Sequence, residues 1–298
     1  MGGSMDLCVS VGIMAYNEEG IIGSLLKEVS RQKGLGFRID EIVVVASGCT
    51  DRTEQIVRDC MLVDARIKLL TQSSREGKAS AINLYLSKAT GDILVLESGD
   101  TLPLKDTYDQ LLRPFSDPRV GMVGARPVPR NERSCFMGFT VHLMWDLHHR
   151  IALGHPKLGE LVAFRNFVRG IPPCTAVDEA AIEAIVRGQG YELRYVPEAI
   201  VFNKGPDTIG DFLRQRRRIA AGHLHLLREG SYRVSTMNPL EILKMLIRSW
   251  PSTVRESFWV LGAVGLEAVG RLLGFYDYRI KGRNPFIWQI ACSTKTWN

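Results

Sequence analysis

Residues 91–101 read GDILVLESGDT, so four consecutive apolar residues run directly into the carboxylates of Glu97 and Asp100, which two small residues separate. An apolar run without polar alternation is typical of a parallel strand buried on both faces, and ligands gather beyond the carboxyl ends of such strands. Carboxylates at that edge suit Mg²⁺ or Mn²⁺, which prefer oxygen ligands and accompany phosphate groups. On this segment alone, a strand followed by an ordinary acidic turn explains the pattern equally well.

Apolar runs and amphipathic periods alternate along the first 125 residues, on both sides of this stretch. Such alternation is typical of a doubly wound α/β domain with a mostly parallel sheet and helices on both faces. We therefore expect the loops that follow the strands to gather at one edge of the sheet. The predicted strands lie at 7–14, 41–45, 66–70, 92–96 and 120–124, and the predicted helices at 19–32, 52–62 and 77–88.

The second half of the chain has a different pattern. Residues 126–175 are irregular and rich in His, Arg, Pro and aromatic residues, which suits loops and a helix that cover a site. They are followed by helical periods at 178–187 and 208–228, an extended pair at 193–196 and 199–202, a linker-like stretch at 231–239, and apolar helices at about 239–249 and 253–273.

Composition restricts the class of protein. The chain has 298 residues, 45% of them hydrophobic, which is enough to bury a sizeable core. The 38 Lys and Arg residues modestly outnumber the 32 Asp and Glu residues, which is compatible with anionic ligands or an anionic membrane surface. Six cysteines are scattered without a CxxC pair or a His-rich zinc spacing, so we expect a reduced, cytoplasmic protein without a disulfide framework.

Three polar loops precede the predicted helices of the first half. Neither a GxGxxG sequence nor a Gly-Lys-Ser/Thr phosphate loop is among them, which disfavours a dinucleotide-binding dehydrogenase and a P-loop nucleotide hydrolase. Each loop alone has an ordinary explanation, because Asn17 and Asp51 can cap the following helices and Lys78 can be solvated. The loops are AYNEE at 15–19, SGCTDRT at 47–53 and REGKASAIN at 75–83.

Taken in order, these loops and ESGDT resemble the motifs of the family 2 inverting glycosyltransferases, which have the GT-A fold. The resemblance continues with VDE at 177–179 and YVPEA at 195–199. It ends with QRRRI at 215–219, which is similar to the family's QxxRW signature. It covers about residues 7–225, and the ordered set is specific even though each motif alone is weak.

The resemblance implies a role for individual residues. In the family, the first two loops hold the nucleotide, the DxD motif holds a divalent cation, and an acidic pair supplies the base that activates the acceptor. By position, Glu179, with Asp178 beside it, would be the catalytic base, and Asp100, with Glu97, would hold Mg²⁺ or Mn²⁺. The implied nucleotide-sugar contacts are Ala15, Tyr16, Asn17, Glu18, Ser47, Asp51, Lys78, Ser98, Gly99, Gln215 and Arg218.

The chain departs from the family's pattern in four places. Ser98 stands where the first aspartate of DxD would be. Ala46 stands where an aspartate usually recognises the nucleobase, which leaves both UDP and GDP donors open. Asp178 and Glu179 reverse the usual order of the acidic pair. Ile219 replaces the tryptophan of QxxRW and removes an aromatic platform expected near the acceptor, which weakens the case for a polysaccharide synthase.

Two regions follow from the resemblance: a GT-A domain at 5–230, with a nucleotide-binding half at 5–125 and an acceptor half at 126–230, and a C-terminal helical extension at 231–298. The apolar helices of the extension carry charges on another face, so they can pack on their own domain. Their aromatic and basic neighbours also suit a membrane interface. In that case the protein would be peripheral at the inner face of the membrane and would reach a polyprenyl-phosphate acceptor.

The sequence therefore predicts an inverting glycosyltransferase that moves a sugar from a UDP- or GDP-type donor to a carbohydrate hydroxyl or lipid-phosphate acceptor by single displacement. A sugar nucleotidyltransferase is one alternative, although it would normally need a Gly-rich, basic phosphate loop where AYNEEG is acidic. The other is a non-catalytic protein whose arginine-rich helix at 214–218 grips RNA or anionic lipid. Nucleic acid is not an expected partner of the enzyme.

Overall fold

The computed structural model describes residues 7–230, 239–283, 286–287 and 292–295 of the chain. The strands are β1 (Leu7–Ala15), β2 (Phe37–Ser47), β3 (Ile67–Gln72), β4 (Ile93–Ser98), β5 (Thr101–Pro103), β6 (Val120–Pro129), β7 (Leu161–Arg165) and β8 (Glu192–Asn203). The α-helices are α1 (Ile22–Ser30), α2 (Thr53–Met61), α3 (Lys78–Leu86), α4 (Thr107–Leu112), α5 (Phe136–Gly154), α6 (Asp178–Gly188), α7 (Ile209–Gly230), α8 (Pro239–Arg248) and α9 (Val254–Phe275). Shorter helical turns lie at Arg113–Ser116, Tyr276–Ile280 and Cys292–Thr294.

The described strands form one mixed sheet of eight strands in the order β3-β2-β1-β4-β7-β6-β8-β5. β1 pairs in parallel with β2 and β4, and β2 pairs in parallel with β3, so the carboxyl ends of these strands share one edge. β7 is antiparallel to both of its neighbours, β4 and β6. The predicted α/β arrangement is confirmed, and the strand direction changes at β7.

β4 is buried on both faces, as its apolar run predicts. Ile93 and Val95 belong to the hydrophobic cluster that includes α1 and α4, whereas Leu94 and Leu96 belong to the cluster that includes α3 and α6. Helices therefore cover both faces of the sheet. As a result, the end of β4 is held near the middle of the sheet, where a ligand can be surrounded.

The second half of the chain differs from its predicted pattern in detail. Residues 126–175 hold the expected helix, α5, and also β7, whose five residues are too few for a period to be recognised among irregular neighbours. The predicted extended pair is a single strand, β8, which contains Pro197 because its register against β6 shifts there. Residues 231–238 of the predicted linker lie outside the described residues.

Helix α9 packs closely along α7, and carboxylates of α9 and of the helical turn that follows it neutralise two arginines of α7. Gly270 permits this approach, because a Cβ there would lie only 2.6 Å from the Cβ of Arg216. Glu267 accepts hydrogen bonds of 2.6 and 2.9 Å from Arg216, and Asp277 pairs with Arg217. These two arginines therefore contact the chain's own carboxylates, which removes much of the support for a helix that grips RNA.

Candidate active site

The carboxyl ends of β1, β2 and β4 open into a cleft of about 940 Å³, which residues of α7, α8 and α9 line from the other side. The topology brings most of the predicted site residues to this cleft, although they come from loops far apart in the sequence. The predicted residues that line it are Ala15, Tyr16, Glu18, Ser47, Lys78, Ser98, Gly99, Asp100, Asp178, Glu179, Gln215 and Arg218.

Two predicted nucleotide contacts, Asn17 and Asp51, instead join the first two loops to each other. The Asn17 side chain donates to the Thr50 hydroxyl at 3.1 Å and accepts from the Thr50 backbone N–H at 2.8 Å. Asp51 accepts 3.0 Å hydrogen bonds from the backbone N–H groups of Glu19 and Thr53. Both side chains are thus engaged in shaping the loops, and neither lines the cleft.

Glu97, the predicted second metal ligand, also lies away from the cleft. It follows Val95 at the two-residue period of a strand and faces the same side of the sheet, towards α4. Its two carboxyl oxygens are hydrogen-bonded to the Thr101 hydroxyl at 2.6 Å and to the Tyr108 hydroxyl at 3.0 Å. Burial raises the pKa of Glu97 to about 8. A buried, protonated carboxyl with both oxygens bonded is poorly suited to hold a cation.

Lys78 joins the acidic pair from the opposite side of the cleft. It is the first residue of α3, and its Nζ lies 2.7 Å from Glu179 Oε1 and 3.8 Å from Asp178 Oδ2. Asp178 and Glu179 begin α6, where the helix dipole favours negative charge. The Glu179 side chain is 23% exposed to the cleft, whereas that of Asp178 is 3% exposed.

The pKa values of these two carboxyl groups are shifted in opposite directions. Burial raises the pKa of Asp178, despite the nearby ammonium group of Lys78. Burial also acts on Glu179, but the direct ion pair with Lys78 outweighs it and lowers the pKa of that carboxyl. One oxygen of Asp178 is buried without a hydrogen-bond partner. The pair therefore combines an ionised carboxylate at the cleft surface with a second carboxyl group beneath it.

Sequence reasoning assigns no role to two further polar residues of the cleft, Glu160 and Asn203. Glu160 has a left-handed backbone with φ of 62°, which is uncommon outside glycine. Burial, together with the charge of Asp100, raises the pKa of Glu160 to about 7. Asn203 is 5% exposed, and its Oδ1 has no hydrogen-bond partner. Glu160 is brought to this cleft by the antiparallel pairing of β7 with β4, and Asn203 by the antiparallel pairing of β8 with β5, and sequence patterns show neither pairing.

Two side chains of the first loop contact cationic residues that are distant in the sequence. The guanidinium of Arg75 lies 4.1 Å from the centre of the Tyr16 ring, a cation–π geometry. Lys295, near the end of the chain, forms an ion pair with Glu18. Burial, reinforced by the charge of Asp100, raises the pKa of Glu18 to about 8. The first loop is thus electrostatically linked to the centre of the cleft.

The chain belongs to glycosyl transferase family 2. The family model described as "Glycosyl transferase family 2" matches residues 10–184, and "Glycosyl transferase family group 2" matches residues 185–291. The chain is 26% identical over 250 residues to poly-beta-1,6-N-acetyl-D-glucosamine synthase of Staphylococcus aureus (strain MSSA476), which covers 78% of this chain and 58% of that protein. It is 25% identical over 235 residues to the probable glycosyltransferase YdaM of Bacillus subtilis (strain 168), and this match covers 74% of this chain and 56% of YdaM.

The chain therefore spans just under three fifths of the length of these curated relatives. Among solved structures, mannosyltransferase PcManGT from Pyrobaculum calidifontis, in complex with GDP-Man and Mn²⁺, has a TM-score of 0.63 at 23% identity, covering 94% of this chain and 77% of that one. Glucosyl-3-phosphoglycerate synthase from Mycobacterium tuberculosis, in complex with Mn²⁺, UDP and glucosyl-3-phosphoglycerate, has a TM-score of 0.51 at 18% identity, covering 76% and 81%. The fold is GT-A, and the chain is a glycosyltransferase.

The raised pKa of Glu97 gives a test of its place in the structure. Folded Glu97 stays protonated until about pH 8, whereas the unfolded residue ionises near its ordinary value of 4.5. Between these values the unfolded chain binds fewer protons, so the free energy of unfolding falls as pH rises. Between pH 6 and pH 8, the free energy of unfolding should fall by about 2 kcal/mol less in Glu97→Gln than in the native chain. The measurement is urea unfolding followed by circular dichroism at each pH.

The exposed Glu198→Gln is the matched control and should keep the native pH profile. Parallel profiles for Glu97→Gln and the native chain would contradict the protonated, buried carboxyl.

Proposed function

We propose that this enzyme is an inverting glycosyltransferase that transfers a sugar from a nucleotide-diphosphate donor to an acceptor hydroxyl by single displacement. The observation that carries the proposal is that Asp100, Lys78 and the Asp178–Glu179 pair line one cleft at the ends of parallel strands. Single displacement needs a base on the acceptor side and charge stabilisation on the diphosphate side of one site. Carboxylates and cations of these kinds suit the two tasks.

Glu179 is the base in this proposal, and Asp178 supports it from below. The greater exposure of Glu179 to the cleft favours it as the group that an acceptor hydroxyl would reach. Its ion pair with Lys78 lowers its basicity before the donor binds. A donor diphosphate that attracts Lys78 would weaken this ion pair and let the pKa of Glu179 rise, so donor binding would prepare the base.

Asp100 and two cationic side chains form the diphosphate side of the proposed site. The carboxylate of Asp100 faces the cleft and fits a hard divalent cation such as Mg²⁺ or Mn²⁺. When bound, such a cation would neutralise charge that develops on the departing diphosphate. Lys78 and Arg218 would add positive charge, and Arg218 is oriented by a 2.8 Å hydrogen bond to the carbonyl oxygen of Ala176.

The nature of the donor and metal is supported by the solved relatives. One is a complex with GDP-Man and Mn²⁺, and others hold UDP with Mn²⁺ or Mg²⁺. We therefore propose a UDP- or GDP-type sugar donor for this enzyme. One relative is a poly-beta-1,6-N-acetyl-D-glucosamine synthase and another is a glucosyl-3-phosphoglycerate synthase, which favours a carbohydrate hydroxyl or a small phosphorylated acceptor.

The C-terminal helices support a further part of the proposal, which is binding at a membrane surface. Residues 254–280 form a helix that is long and apolar enough to cross a membrane by length and composition, with mean hydropathy 1.5 and 22% of the window buried. The ion pair of Glu267 with Arg216 fixes this helix on α7, which favours a surface position over a spanning one. We define the proposed apolar face by the exposed apolar side chains of α8, of α9 and of the segment between them, which are Leu243, Ile247, Trp250, Phe258, Leu261 and Leu272.

Basic residues border this apolar face, which is the combination that binds anionic lipid. Arg248, Arg279 and Lys281 are exposed at its ends. We propose a peripheral position at the cytoplasmic face of the membrane. There, a polyprenyl-phosphate acceptor could enter the cleft between α8 and α9, whose Leu246 and Val264 line it.

Removal of the base tests the proposed mechanism. We expect Glu179→Gln to lower turnover of a sugar nucleotide about 10²–10⁴-fold, because the acceptor hydroxyl loses its proton acceptor. Donor binding, measured by calorimetry with Mn²⁺, should persist. Donor turnover should be followed by release of a nucleoside diphosphate, since release of pyrophosphate would instead identify a nucleotidyltransferase. Native turnover in Glu179→Gln would refute the base assignment, and Glu198→Gln serves as the unaffected control.

Lipid binding is tested by sedimentation of the full chain with vesicles of phosphatidylglycerol and phosphatidylcholine. Phe258→Glu together with Leu261→Glu should reduce the bound fraction several-fold, because charges on the apolar face oppose insertion into the interface. The control is Leu62→Glu, which adds a charge at an exposed leucine at the end of α2, away from α8 and α9. Equal sedimentation of both variants with the native chain would contradict the proposed surface.

A further inference from the structure

Position 98 lacks the carboxylate that the metal motif would supply, and the neighbouring strand places one beside it. In the antiparallel ladder between β4 and β7, Glu97 is paired with Leu161. Ser98 ends β4 and Glu160 immediately precedes β7, and the Ser98 N–H donates to the Glu160 carbonyl oxygen at 3.0 Å. Both of these side chains line the cleft.

The backbone at Glu160 is held in an unusual shape that directs this side chain. Its φ of 62° places a glutamate in the left-handed region, which costs of order 1 kcal/mol and occurs preferentially at functional sites. A tight turn fixes this conformation, because the Leu161 N–H donates to the Gly159 carbonyl oxygen at 2.7 Å. The turn and the bond from Ser98 together hold Glu160 at the end of β4.

Asn203 gives an independent indication of a ligand at the same place. It ends β8 and is paired with Thr101, so it lies beside the residue that follows Asp100. Asn203 is 5% exposed, and its Oδ1 is buried without a hydrogen-bond partner. A buried amide oxygen of this kind normally has a donor or a cation within reach. Asp100, Glu160 and Asn203 all line the same cleft.

We propose that Glu160 supplies the carboxylate missing at Ser98, so that Asp100, Glu160 and the Asn203 Oδ1 together hold the divalent cation of the donor complex. The proposal rests on the proposed function in taking a divalent cation as a ligand of this cleft. Two carboxylates and an amide oxygen form a hard oxygen set of the kind that Mg²⁺ and Mn²⁺ prefer, with donor oxygens and water completing the shell. The proposed ligands therefore come from the ends of three strands, β4, β7 and β8, and not from the end of β4 alone.

The test measures Mn²⁺ binding to the full chain by calorimetry and by the loss of the free Mn²⁺ electron paramagnetic resonance signal, with UDP or GDP present. Glu160→Gln keeps the size of the side chain and removes its charge, and we expect it to raise the Kd for Mn²⁺ at least tenfold. Glu198→Gln should bind Mn²⁺ as the native chain does. Unchanged Mn²⁺ affinity in Glu160→Gln, with the native melting temperature, would overturn the proposal.

A rescue variant separates metal binding from a purely structural role of Glu160. Adding Ser98→Asp to Glu160→Gln returns a carboxylate to the same corner of the cleft, and we expect Mn²⁺ affinity to recover to within a few-fold of native. If the double variant melts as the native chain does but its Mn²⁺ affinity does not recover, the proposal that Glu160 replaces the carboxylate missing at position 98 is contradicted.

These binding measurements need no turnover, so they separate this inference from the proposed function. If Mn²⁺ binding depends on Glu160 but no sugar is transferred from any sugar nucleotide, the metal site is supported and the proposed reaction is refuted. Full transfer activity in EDTA, with no Mn²⁺ bound by the native chain, would retain the reaction and overturn the metal site.

Discussion

The ion pair between Lys78 and the acidic residues at the start of α6 is the interaction on which the cleft depends. Lys78 begins α3 and Glu179 lies in the first turn of α6, so their 2.7 Å contact joins two helices that belong to different halves of the sheet. Without the ammonium group of Lys78, the carboxyl groups of Glu160, Asp178 and Glu179 would lose the cation that they share. Breaking a buried ion pair in this way is strongly destabilising. The pair thus maintains the arrangement of charges that the proposed chemistry uses.

The excess of carboxyl groups around Lys78 also explains why the cleft suits an anionic donor together with a metal. Burial, together with the charge of Asp100, raises the pKa of both Glu18 and Glu160. A divalent cation would relieve this repulsion, and a diphosphate would then balance the cation. The apolar wall formed by α8 and α9 limits access of water to these charges, which strengthens their interactions.

The parts of the structure that depend on local sequence could be predicted, whereas those that depend on pairing across the sheet could not. The apolar run of β4 predicts a buried strand, and the loop order predicts which side chains meet at its end. Glu160 enters the site only because β7 runs antiparallel to β4, and the short apolar run of β7 carries no sign of that direction. Arg216 and Arg217 pair with residues 51 and 60 positions away, which no local pattern indicates.

Strand geometry explains why the opening motif places one carboxylate in the cleft and not two. Successive residues of a strand face opposite sides of the sheet, so Glu97 and Ser98 cannot both reach the cleft. Glu97 is enclosed with Tyr108 in the core, and Asp100 lies beyond the end of β4. Asn17 and Asp51 show a related limit, because a polar residue before a helix has the same sequence pattern whether it contacts a ligand or another loop.

Stereochemistry is the most direct test of the central claim, which is a single displacement assisted by the acidic pair. An α-linked sugar nucleotide of the UDP or GDP type should be incubated with the full chain and Mn²⁺, and the sugar first released to water should be identified by proton NMR before its anomers equilibrate. Single displacement predicts that the β-anomer forms first. Initial formation of the α-anomer would contradict the account, because retention requires a different course of reaction.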